Sequence, residues 1–156
     1  MIRLIACGPQ DFADLIGAQD WRGFAIPDGG LEPEAVLVML QGWSARLDAA
    51  QGWGTWLAVA QGEVVASLAV KDVPRDGSVE VGYGTAPARR GRGHATAALG
   101  LVLAELAEKG LRRVTAETAV DNPASGRVVA KAGFQQVGSR IDPEDGALIL
   151  WARDLV

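Results

Sequence analysis

Arginines, glycines and a histidine crowd one short segment of this chain, Tyr83-Gly-Thr-Ala-Pro-Ala-Arg-Arg-Gly-Arg-Gly-His-Ala-Thr-Ala-Ala-Leu99. An extended run ends at Pro87, a turn carries Arg89, Arg90, Gly91, Arg92 and Gly93, and an apolar helix pattern begins at once. Glycine lets backbone N–H groups approach a ligand closely, and a helix N-terminus adds unpaired donors and the positive end of its dipole. With the arginine charge, these parts predict a site for a phosphorylated ligand, first of all a pyrophosphate. Other phosphate signatures do not fit. No Gly-Lys-Ser/Thr follows the glycines, as a Walker A loop requires, and Pro87 stands where the dinucleotide fingerprint opened by Gly82-Tyr83-Gly84 needs its third glycine. An RNA-binding Arg-Gly patch is at odds with a formal net charge of −4. The remaining alternative is a glycine-rich turn with solvated arginines.

The order Pro87-x-x-Arg90-Gly91-x-Gly93-x-Ala95-Thr96, followed by a helix, resembles the acetyl-CoA loop of the GNAT N-acetyltransferases. Ala116-Glu-Thr-Ala-Val-Asp-Asn-Pro-Ala-Ser125 and Val129-x-Lys131-x-Gly133-Phe134 look like that superfamily's later segments, at the expected distance. The flavour is that of the branch that includes ribosomal-protein N-terminal acetyltransferases. The resemblance runs from about Trp56 to Trp151 and is weaker before that, where acceptor-binding helices differ among members. It implies an α/β chain with the GNAT acyl-CoA N-acyltransferase fold, a mixed and mostly antiparallel sheet whose central parallel strands splay apart, flanked by helices. It implies acetyl-CoA as cosubstrate and no metal. Carried over by position, Arg90, Gly91, Arg92, Gly93, His94 and Ala95 hold the phosphates. Backbone groups at Thr85 and Ala86, next to Gly84, hold the pantetheine and the thioester carbonyl, and Asn122 lies beside the pantetheine arm. Ala88 stands where many members carry Gln or Arg, so one phosphate contact is either absent or supplied by Arg89.

Acetyl transfer to an amine needs a neutral nitrogen, a donor for the developing oxyanion and a proton for the departing thiolate. Glu80 and Glu117, on neighbouring predicted strands, are the candidate bases, directly or through water; a solvated or ion-paired glutamate is the alternative for each. Period-two alternation puts Glu80 with Gly82 and Gly84, opposite Val79, Val81 and Tyr83, so Tyr83 reads as a structural residue. Ser125 is the candidate proton donor, since the predicted helix around it has no tyrosine. Asn122-Pro123 also reads simply as an N-cap followed by an N1 proline. The backbone N–H of His94 counts for more than its ring. Cys7 reads as a small buried hydrophobe, which leaves no activated nucleophile and favours direct attack in a ternary complex. The acceptor is an amine of a protein N-terminus, a lysine or a small molecule. The alternatives are a different acyl-CoA or a non-catalytic CoA-binding module.

The elements that must position these residues follow from the pattern. The 156 residues, 49% hydrophobic and 22% charged, fit one domain spanning 1–156. No run of about eighteen apolar residues occurs, and the N-terminal apolar stretch is too short for a signal peptide. A single cysteine suits a reducing cytoplasm, and with a single histidine it argues against structural zinc. Neither a nucleic acid nor a membrane is an expected partner; the expected state is a monomer or homodimer. Strands are predicted at 4–6, 55–60, 64–70, 79–85, 114–119, 136–140 and 147–152. Helices are predicted near 12–16, from Pro33 with Val36, Met39, Leu40, Trp43 and Leu47 as its stripe, after Gly93 to Lys109-Gly110, and over 123–132. The helix after Gly93 links two strands as a right-handed crossover, which makes them parallel.

Overall fold

The computed structural model describes residues 1–155. The strands are β1 (Ile2–Ala6), the short β2 (Asp20–Trp21) and β3 (Phe24–Ala25), β4 (Thr55–Ala60), β5 (Glu63–Val70), β6 (Ser78–Thr85), β7 (Arg113–Ala119), β8 (Gln135–Asp142) and β9 (Gly146–Asp154). The helices are α1 (Pro9–Leu15), α2 (Glu34–Ala50), α3 (His94–Glu108) and α4 (Pro123–Lys131). The main sheet runs β1-β4-β5-β6-β7-β9-β8, with β2 and β3 attached beside β5. Within that order only β6 and β7 are parallel; the other neighbours are antiparallel. This is the mixed, mostly antiparallel architecture that the pattern of elements predicts.

Burial explains why each segment is strand or helix. Every residue of β4 is buried, because helices cover both faces of the sheet there and a central strand needs no polar side. Trp56, Leu68, Val79 and Val81 face Leu99, Val102 and Leu106 of α3 and Val129 of α4 in one apolar cluster. Leu57, Val59 and Ala69 face Phe12 and Leu15 of α1 and Leu37 and Leu40 of α2 in a second. Trp56 Nε1 donates to Glu105 Oε2 at 2.9 Å, which satisfies a buried donor and ties α3 to β4. Helix α3 ends at a left-handed Gly110 (φ +84°), a backbone conformation in which a side chain is strained.

Two details differ from the sequence pattern. β6 stops at Thr85, the predicted bound, but a single 3-10 turn over Pro87–Arg89 then takes the place of a run extended as far as Pro87. In α2 the buried stripe is Leu37, Leu40, Ser44 and Leu47, whereas Met39 faces solvent. Both stripes are largely apolar, and the buried one admits Ser44 because its hydroxyl pairs with Thr55 of β4 at 3.1 Å, which gives that polar group a buried partner.

Leu99 is fully buried in the α3 cluster and Leu101, on the same helix, is 39% exposed. Leu99→Ala is expected to cost about 2–5 kcal/mol of unfolding free energy, and Leu101→Ala to stay within roughly 0.5 kcal/mol. Urea denaturation of both variants measures the contrast.

Candidate functional site

β6 and β7 pair only over Ser78–Glu80 and Arg113–Thr115. Beyond Glu80 and Thr115 both strands continue, β6 held by β5 and β7 by β9, but no longer to each other. The strands therefore splay at their C-terminal ends, as the resemblance implies. Alternation fixes which groups face the opening. The Glu80 carbonyl accepts from Lys71 N–H at 2.9 Å and Ala86 N–H donates to the Val65 carbonyl at 2.8 Å, so the even-numbered residues of β6 address β5. The N–H groups of Tyr83 and Thr85 then face the gap. This corrects the reading of Ala86. Its donor is already used and the residue is fully buried in the α1/α2 cluster, so it offers a ligand nothing.

A cleft of about 490 Å³ opens along this gap. Thr85, Arg90, Gly91, Gly93, His94, Ala95, Asn122 and Ser125, singled out from the sequence, all line it. Gly91 (φ +75°) and Gly93 (φ +78°) are left-handed, and no protein atom lies within 4 Å of where a Cβ would stand on either. Gly93 caps α3 without any side-chain hydrogen bond, and the first intrahelical bond from this end is Ala97 N–H to the Gly93 carbonyl at 3.0 Å. The N–H groups of His94, Ala95 and Thr96 are thus left for an anion. The His94 imidazole is held below its ordinary pKa, first by burial and then by Arg92 and Arg89, and is neutral at neutral pH. Arg92 is exposed and does not line the cleft. Nor is the Arg89 guanidinium free to replace the side chain missing at Ala88. It makes a two-pronged pair with Glu63 at 2.8 and 2.7 Å, which fastens the turn to the start of β5.

At the other wall, Asn122 caps α4 by accepting from Ser125 N–H at 3.4 Å, with Pro123 next in the chain, and it also lines the cleft. Tyr83 packs against the α3/α4 cluster, as alternation predicts, and has a second role at the cleft that alternation does not show. Its hydroxyl lies 3.0 Å from Ser125 Oγ and 2.9 Å from the Ser125 carbonyl, and it lines the cleft. Burial raises the Tyr83 pKa and the Ser125 contact lowers it less, so the phenol stays protonated. Arg127 and Lys131 of α4 were likewise missed; they add cations at the mouth, four residues apart on one side of the helix, a spacing visible in the sequence.

The two carboxylates expected as bases do not line this cleft. Lys71 Nζ lies 2.9 Å from Glu80 Oε2, an ion pair without hydrogen-bond alignment. Glu117 is gripped by Arg140 through both oxygens, Oε1 at 3.0 Å. Arg140 above all holds the Glu117 carboxyl below the usual range, with Lys71 adding to it, which makes it a weak base. The bland alternative, paired strand glutamates, is the arrangement observed. A third carboxylate had no sequence signal: Glu32, in the turn before α2, packs directly over Gly84 and accepts from Ser67 Oγ at 3.0 Å.

A family model described as an acetyltransferase (GNAT) domain matches residues 2–135. The chain belongs to the GNAT acetyltransferase family. As such it is an acetyltransferase that uses acetyl-CoA, and the unpaired α3 donors, the open left-handed glycines and the cations around them suit a CoA pyrophosphate. No curated protein sequence matches it significantly. Solved structures share the fold at low identity. Ribosomal-protein-S5-alanine acetyltransferase from Vibrio fischeri superposes with a TM-score of 0.72 at 15% identity, covering 98% of this chain and 92% of that one. Mycobacterium smegmatis RimJ in complex with CoA-disulfide gives 0.70 at 23%, covering 98% and 81%. An aminoglycoside acetyltransferase in complex with coenzyme A gives 0.69 at 18%, covering 99% and 95%.

Gly93→Val forces a branched side chain into a left-handed cap, at a cost of about 1–3 kcal/mol in backbone strain. It also turns the free N–H groups of α3 away from the anion. Acetyl-CoA affinity of the folded GNAT variant, measured by calorimetric titration, is expected to fall roughly 10–100-fold, the equivalent of about one charge-assisted hydrogen bond.

Proposed function

We propose that this protein acetylates a primary amine by direct attack on acetyl-CoA in a ternary complex, in the cytoplasm. The observation that carries the reading is the splay of β6 and β7 next to the unpaired N-terminus of α3. One ligand with a pyrophosphate, a slender arm and a thioester answers both features. The pyrophosphate meets His94, Ala95 and Thr96 N–H with Arg90 close by, and the arm hydrogen-bonds along the open edge of β6. A β6 N–H aimed at the thioester carbonyl stabilises charge only as it develops, which is worth roughly 3–4 kcal/mol in comparable sites. Arg127 and Lys131 suit the remaining phosphate of the coenzyme.

Direct attack is favoured over an acetyl-enzyme because no nucleophile is activated. Burial pushes the Cys7 thiol up to about 12, and it does not line the cleft. For the leaving thiolate, Ser125 Oγ is the donor we favour, with the Tyr83 hydroxyl behind it to replace the proton. The acceptor is an amine of a protein N-terminus, a lysine or a small molecule. An α-amine, with a reference pKa of about 7.7–8.0, needs less help to lose its proton than a lysine at about 10.4.

Free-thiol release from acetyl-CoA with a panel of amines tests the activity; thermal stabilisation by acetyl-CoA with no thiol released from any amine would make the protein a binding module instead. If Ser125 and Tyr83 supply the proton, Ser125→Ala and Tyr83→Phe each lower kcat by roughly 10-fold or more with acetyl-CoA affinity kept. The double variant then falls little further, because both act on one proton. Losses that multiply would separate their roles. Asn122→Ala is expected to cost about 0.5–2 kcal/mol of stability as a lost cap and, in addition, to raise KM for acetyl-CoA.

A further inference from the structure

Glu32, half-buried in the turn before α2, packs its carboxylate against the backbone of β6. Its carboxylate lies so close to Gly84 that any Cβ there would overlap Oε1 and come within 2.9 Å of Cδ. Gly84 has an ordinary extended backbone, so a side chain there would meet no backbone strain but would displace the Glu32 carboxylate from its present place. Ser67, the cross-strand partner of Gly84 in β5, donates its hydroxyl to Glu32. Gly84 is at the same time a wall of the coenzyme cleft. Glu32 therefore stands across one glycine from the open edge of β6, on the α1/α2 side. It is half-buried and makes no salt bridge among the described residues, unlike Glu80 and Glu117.

Glu32 also lines a second, smaller cavity of about 140 Å³ between α1, the turn before α2 and α2 itself. Its walls are largely apolar, from Leu15, Ile26, Leu31 and Leu37, and the exposed Glu34 sits at its rim. At about 30 Å³ per water this space equals four or five waters, enough for an ammonium and a few carbons.

Resting on the acetyl-transfer reading above, we propose that Glu32 is the acceptor-side base, receiving from this cavity a primary amine on a short apolar stem. The amine enters as its ammonium and Glu32 removes one proton. The nitrogen lone pair bonds to the thioester carbonyl carbon, and the carbon–sulfur bond breaks with its electron pair left on sulfur. The nitrogen sheds a second proton. Of the two, one leaves through Glu32 to solvent and the other is balanced by the proton delivered to sulfur. The charges facing Glu32 suit this work. Burial raises its pKa, while the Ser67 hydroxyl and, more distantly, Arg90 of the coenzyme loop lower it; Glu34 of α2 is the neighbouring acid.

The experiment uses the full chain, with alaninamide, propylamine and spermidine as acceptors and thiol release as the readout across pH. Glu32→Gln is expected to lower kcat/KM for the amine by roughly 10²–10⁴-fold near pH 7, with acetyl-CoA affinity and thermal stability kept. The deficit narrows at high pH, where the amine deprotonates unaided. Ser67→Ala, which removes the hydrogen bond that lowers the Glu32 pKa, moves the acid limb of the profile to higher pH and leaves the plateau nearly intact. A purely structural role would not move that limb. Wild-type rates in Glu32→Gln, a deficit equal at every pH, or an unmoved limb in a folded Ser67→Ala would overturn the assignment. Preference for spermidine over both short amines would overturn the assigned stem. A wild-type protein that binds acetyl-CoA but acetylates no amine would bring down the acetyl-transfer reading, and this one with it.

Discussion

A parallel strand pair that stops pairing in the middle of a sheet leaves backbone donors and acceptors that must find another partner. The ladder between β6 and β7 ends at Glu80 and Thr115, and the remainder of each strand is held from its far side only, by β5 and by β9. Side chains tie each strand to its other neighbours. Trp151 of β9 donates to Thr118 of β7 at 2.9 Å, and Tyr83 reaches from β6 to Ser125 of α4 at the mouth. An opening maintained in this way has a defined width and polar edges, so what fills it is selected by hydrogen bonding as well as shape.

The charge balance of the molecule says little about this site. The chain is acidic, yet Arg89, Arg90, Arg127 and Lys131 all line the cleft. The cations differ in what they can do. Arg89 is tied to Glu63 and stiffens the turn, whereas Arg90 makes no side-chain ion pair among the described residues. On the opposite side of the sheet lie Glu80, Glu117 and Glu32, and there the pattern reverses. Two of the acids are tied by Lys71 and Arg140 and brace the strands; the third has, among the described residues, only a hydroxyl partner. The two faces of the same strand thus differ in charge, cations around the coenzyme cleft and carboxylates on the other side.

What the sequence by itself determined is the set of features written in local chemistry. Gly91 and Gly93 before an apolar helix pattern, Asn122-Pro123 before another, and the turn at Gln61-Gly62 each state their own geometry, because left-handed backbone and helix caps depend on a few adjacent residues. Helix α3, long enough to carry the chain back to the starting end of the sheet, is the connection that lets β6 and β7 run parallel. The tertiary structure decided what is non-local. That Ser44 of α2 meets Thr55 of β4, that Arg89 is tied to Glu63, and that Tyr83, packed on the core, also reaches Ser125, in an element that follows it by a helix and a strand, are all contacts between distant segments. Glu32 is the extreme case. It occupies an unremarkable turn, and its place over Gly84 exists only because α1 and α2 pack on that face of the sheet. Spacing along a chain encodes backbone conformation, but the partner of a charged or hydroxyl side chain is chosen by packing between distant elements.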